Sequence, residues 1–95
     1  IPVKATVLAS AVTAVVGFAG DTSAVLTIGD GTDVDRYNTG TINVFATAAD
    51  GVATGAVSGV AYHAATKSVV LTVTSATDFG AVSAGSVTVR ITYLV

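Results

Sequence analysis

An all-β domain is predicted for this 95-residue chain by three observations. Apolar residues recur at every second position in several short runs, the signature of half-buried strands. Glycine- and Asp-containing turn signals separate those runs. All six acidic residues are Asp and none is Glu, and Asp favours turns over helices.

Taken in order, residues 3–9 and 12–18 read as two strands that alternate less cleanly than the rest. Residues 24–28 place Ala24, Leu26 and Ile28 on one face. Residues 42–46 and 57–63 are two further short strands. In residues 68–74, Val69, Leu71 and Val73 point inward, with Ser68, Thr72 and Thr74 outward. The clearest pattern lies at 86–93, where Val87, Val89, Ile91 and Tyr93 oppose Ser86, Thr88, Arg90 and Thr92. Turns are expected at 20–23, 29–40, Asp50-Gly51, 65–67 and 78–80, with a turn candidate at Ser58-Gly59. Only residues 46–49 could make a helical turn. About seven short strands predict a small antiparallel β-sandwich, with the jelly roll among the topologies allowed.

Residues 1–95 make one domain. Its core is thin: 18 Val and 17 Ala stand against 14 residues among Ile, Leu, Phe and Tyr. Buried Ala stabilises much less than the roughly 1.5–3 kcal/mol of a large side chain. With no cysteine to form disulfides, help from other copies of the chain is expected. The net charge is −2, and Lys4, Arg36, Lys67 and Arg90 are too scattered to neutralise phosphates, so nucleic acid is not an expected partner. The charge-free run 5–20 includes Thr6, Ser10, Thr13 and Gly17, so it reads as strands and not as a membrane span or signal peptide. Both ends lie close to strands, and a short N-terminal segment of the full product is expected to be missing.

The loop at 29–40 holds four of the ten charged residues. Asp30, Asp33 and Asp35 form a weak Ca²⁺ candidate, since the spacing lacks the glycine and terminal Glu of an EF-hand. The same residues read more simply as a turn in which Asp carboxylates cap backbone amides, with Arg36 pairing a neighbour. Asp33, Asp35, Arg36 and Tyr37 are candidate interface residues at a rim. His63, the single histidine, reads as a surface or strand-end residue. Without cysteine or a second histidine it makes no transition-metal site, and no nucleophile elbow or phosphate loop is present. No cofactor is expected, nor is enzymatic activity. Tyr37 and Tyr62, in or near loops, leave a glycan-binding surface as an alternative.

Ile1-Pro2, the phrase Ile28-Gly29-Asp30-Gly31-Thr32-Asp33-Val34-Asp35-Arg36-Tyr37 and a closing strand over 85–94 occur in that order. This arrangement resembles small β-rich structural proteins of tailed bacteriophages, in which a strand ends in a Gly-Asp-Gly-Thr-Asp-Ala-Asp-like turn. Arg36 stands where such proteins often have glycine. The resemblance implies a virion component, a capsid decoration or tail-associated subunit, and by analogy a trimer. Its partners would be copies of itself and a major capsid or tail protein. The alternatives are a subunit of an extracellular filament or surface layer, or the glycan-binding module.

Overall fold

The computed structural model describes residues 1–46, 52–53, 62–77 and 82–95, and among them every regular element is a β-strand. In chain order these are β1 (Ala5–Ala19), β2 (Ala24–Gly29), β3 (Ile42–Asn43), β4 (Val52–Ala53), β5 (Tyr62–His63), β6 (Val70–Ser75) and β7 (Ala84–Leu94). They form two antiparallel sheets. In the first, β7 lies along one edge of β1, while β4 and β5 share the other. In the second, the order is β3-β2-β6. Val7, Val12, Val15, Leu26, Ile28, Tyr37, Ile42 and Val44 fill the core. The sandwich-like all-β expectation holds.

The first departure concerns residues 3–9 and 12–18, expected as two strands. They belong to the single fifteen-residue strand β1. Its pairing with β7 slips between Val7 and Ala9, between Thr13 and Val16, and between Val16 and Ala19. Each slip is a β-bulge, which shifts the side-chain phase by one residue and sharpens the local twist. The buried positions are therefore Ala5 and Val7, then Ser10 and Val12, then Val15. No strict period-two pattern joins them. The extra residues lie on β1, so β7 keeps its alternation. Val87, Val89 and Ile91 pack against the core, and Ser86, Thr88, Arg90 and Thr92 are exposed. Tyr93, expected inward with them, is 46% exposed.

The second departure is β6. Of its expected inward residues only Val73 packs on the core, while Val69 and Leu71 are 36% and 43% exposed. Among the described residues β6 pairs with β2 alone, and none of them pairs with its second edge. Residues 47–49, Asp50-Gly51, 57–61 with Ser58-Gly59, and 78–80 lie outside the described residues.

At its far end β1 reaches the second sheet. The Phe18 N–H donates to the Val44 carbonyl and the Val44 N–H to the Ala24 carbonyl, both at 3.0 Å. Phe18 and Phe45 form a parallel bridge beside them. Segment 42–45 thus ties the sheets together along one side, and β6 and β7 are left as outer strands. Below this junction β7 passes under Phe18 at Gly85, where φ is +140° and a Cβ would lie 2.5 Å from the Phe18 ring. Gly85→Ala is expected to cost about 2–3 kcal/mol through backbone strain and overpacking. Thermal melting should then drop by roughly 10 °C or more. An unchanged melting temperature would show that the Phe18 contact is not a constraint.

Candidate functional site

The loop between β2 and β3 is built by its own carboxylates. After Gly29 the chain turns so sharply that a Cβ at that position would sit 2.2 Å from the Asp33 carbonyl oxygen. Only glycine fits such an approach. Asp30 Oδ1 accepts the Thr32 N–H at 3.0 Å and the Asp33 N–H at 2.9 Å, and the Asp30 N–H donates to the Asp33 carbonyl at 3.1 Å. Asp30 Oδ2 forms an ion pair with the Arg36 guanidinium, 2.7 Å from Nε, with the Asp30 side chain only 1% exposed. Arg36 also approaches Asp33 Oδ2 at 4.0 Å. Burial opposes ionisation of Asp30, but the Asp33 and Thr32 amides, Arg36 and Lys67 together hold its carboxyl below the usual range.

The loop returns to β2 where β3 has ended. The Tyr37 N–H donates to the Ile28 carbonyl at 2.9 Å, and Asn38 Oδ1 accepts the Ile28 N–H at 2.9 Å. Backbone and side chain together thus extend the ladder along that edge of β2. Asn38 Nδ2 donates to the Gly40 carbonyl at 3.3 Å and closes the loop.

Tyr37 then crosses the sandwich. Its ring is fully buried, its hydroxyl lies 2.6 Å from His63 Nε2 on β5, and its carbonyl accepts the Ser10 hydroxyl on β1. The Tyr37 and His63 rings meet edge to face, 5.8 Å apart at 79°. His63 is held by its pairing with Ala5 and by the Lys4 N–H donating to its carbonyl at 2.8 Å. Burial lowers the His63 pKa, with Arg36 and Lys67 acting in the same sense and Asp30 against them. Burial, then the Asp30 charge, raises that of Tyr37. Which group donates is set by the imidazole tautomer: with the ring proton on Nδ1, Nε2 accepts a hydrogen bond from the Tyr37 hydroxyl.

No family model, curated protein or solved structure matches the chain.

The site residues read from the sequence are therefore divided by the geometry. Tyr37, expected as a rim or sugar-facing residue, is in the core. His63, expected at the surface or a strand end, does end the two-residue strand β5, but it is buried beside Tyr37 at 5% exposure and not at the surface. Arg36 pairs with a neighbouring carboxylate, as its position implied, and that carboxylate is Asp30. Asp33 and Asp35 remain on the outer surface. Asp35 is raised in pKa by Asp33, first through their shared hydrogen bond and, after some desolvation, through like charge. The described residues hold no group of three or more carboxylate or histidine ligands arranged for a metal. Asp30 spends both oxygens on the loop, which explains why a calcium-like composition gives no cluster. Asn38, whose oxygen the composition offered to a cation, instead accepts the Ile28 N–H, and Ser10, a polar break in the run 5–20, bonds the Tyr37 carbonyl; the Tyr37–His63 contact has no counterpart in the sequence pattern. A lone Ser on a buried strand face and an Asn just after a Tyr were the available signals.

Two outcomes follow from this geometry. The folded state binds fewer protons at His63 than the unfolded state, so stability linked to that group is present above about pH 6.5 and is lost as pH falls through the lower folded value. Melting temperature should decline between about pH 7 and 5 in the native chain and stay nearly flat in His63→Gln over that window. A flat native profile would contradict it. In the loop, Asp30→Ala removes two amide bonds and the Arg36 partner, a loss of about 2–4 kcal/mol by denaturant titration. Asp35→Asn relieves repulsion and should leave stability unchanged or slightly higher.

Proposed function

We propose that the chain is a structural virion subunit of a tailed bacteriophage, a capsid decoration protein that self-associates and docks on a capsid or tail protein. One observation carries this reading: among the described residues eleven large hydrophobic ones, including Leu8, Val16, Leu71, Tyr93 and Leu94, are at least 36% exposed. A domain with a Val/Ala-rich core that leaves so much apolar surface in water is suited to burying it against neighbours. Among the described residues β6 and β7 each have one unpaired edge, which supports the same reading, since such an edge is a template for another chain. The resemblance of residues 28–37 to phage structural proteins supplies the particle. In this reading the Asp30–Arg36 loop is a rigid turn, with Asp33, Val34 and Asp35 at its tip for a partner to contact.

A filament or surface-layer subunit is the second reading. It is favoured by the same pair of edges, because two different edges joined head to tail give an open assembly. The glycan-binding alternative keeps only Tyr62 and Tyr93 as exposed tyrosines, Tyr37 being buried. Mass spectrometry of phage particles purified from cells carrying the gene tests the proposal directly. The chain should be present in stoichiometric amounts, and light scattering on the isolated protein should give an oligomer. Absence from particles, with saturable sugar binding by a monomer, would sink the virion reading; long polymers without particles would favour the filament.

A further inference from the structure

We infer that β7 pairs antiparallel with β7 of a second copy of this chain, about a two-fold axis through Val89, fusing the two first sheets into one. This names the contact surface of the self-association proposed above and rests on it. It also differs from the trimer that the phage resemblance implies.

Among the described residues nothing pairs with the outer edge of β7 or guards it. Among the described residues β7 pairs with β1 alone, so half of the backbone N–H and C=O groups along its eleven residues face outward. Native edge strands are commonly protected by proline, bulges or several charges. β7 has no proline, its register slips place the extra residues on β1, and its one charge is Arg90.

The strand is also complementary to itself in one register. Val89 is the midpoint of Ala84–Leu94, so an axis through it pairs the whole strand. It opposes Val89 to Val89, Val87 to Ile91, Ser86 to Thr92 and Thr88 to Arg90. Val and Ile meet each other, the Ser86 and Thr92 hydroxyls meet, and Thr88 faces Arg90 without opposing like charges, with both core-facing sides on the same side of the joined sheet. The remaining pairs are Ala84 with Leu94, apolar against apolar, and Gly85 with Tyr93. Gly85 has no side chain to cover its neighbour and must stay glycine under Phe18, while Tyr93 is half exposed in the single chain. Moving the axis to Arg90 would set the two arginines against each other, which is unfavourable. Pairing β6 with itself over its full length would instead set Leu71 against Thr74 and Val70 against Ser75, apolar against polar. Charge and face matching both select β7 about Val89.

Because the chain has no cysteine, engineered disulfides report the register without background. In the double variant Ser86→Cys/Thr92→Cys the two thiols of one strand are six residues apart, about 20 Å, too far to close on each other. Each faces its counterpart in the second copy. Mild oxidation should give a reducible covalent dimer in the double variant and leave the single variants without a cross-link. Thr88→Lys, on the exposed face opposite the second copy's Arg90, should weaken dimerisation several-fold by light scattering, and Thr88→Glu should strengthen it, both with unchanged circular dichroism. Equal cross-linking by the single variants, or an oligomer in which the double variant never cross-links, would overturn the β7 pairing while leaving self-association intact. A strict monomer at every concentration, with no cross-linking, would overturn both.

Discussion

Tyr37 is the residue on which the two layers of this domain depend. Its amide continues the ladder of β2, its carbonyl takes a hydroxyl from β1, and its ring and hydroxyl engage His63 on β5. Three strands from two sheets are therefore tied through one residue. In a core made largely of Val and Ala, a buried tyrosine also supplies area that small side chains cannot. Its polar ends are costly to bury without partners, and each has one.

The charged loop exists to deliver that residue. Gly29 permits the reversal, Asp30 gathers two amides and a guanidinium, and the chain is then aimed back at Ile28. A carboxylate buried to this extent persists because every oxygen is engaged, and Arg36 balances its charge. The concentration of charge that looks like a ligand site is thus turned on the backbone of the loop itself. What remains at the surface is the tip, Asp33 to Asp35, where two carboxylates repel each other.

The outer strands have the opposite character. Segment 42–45 closes one side of the sandwich by bonding to both sheets, while β6 and β7 end the sheets on the other side. Half-buried Val87, Val89 and Ile91 show how incompletely an edge strand shields its own core face. A small domain buries a limited share of its surface in any case, and this one meets that limit with apolar residues still in water.

The amino-acid order alone determined the all-β class, the strands at 24–28 and 86–93, the turn role of the Asp-rich loop and the pairing of Arg36 with a nearby carboxylate. These are local properties, set by side-chain alternation, turn chemistry and the reach of neighbouring residues. Tertiary structure decided that residues 5–19 are one strand, because bulges are a consequence of pairing with β7 and shift the phase that a periodic reading follows. It decided that Val69 and Leu71 face solvent, because alternation marks which residues share a face and not whether anything covers that face. It also decided that Tyr37 and His63 meet in the core. They lie 26 residues apart, and only the stacking of one sheet on the other brings them within hydrogen-bonding distance.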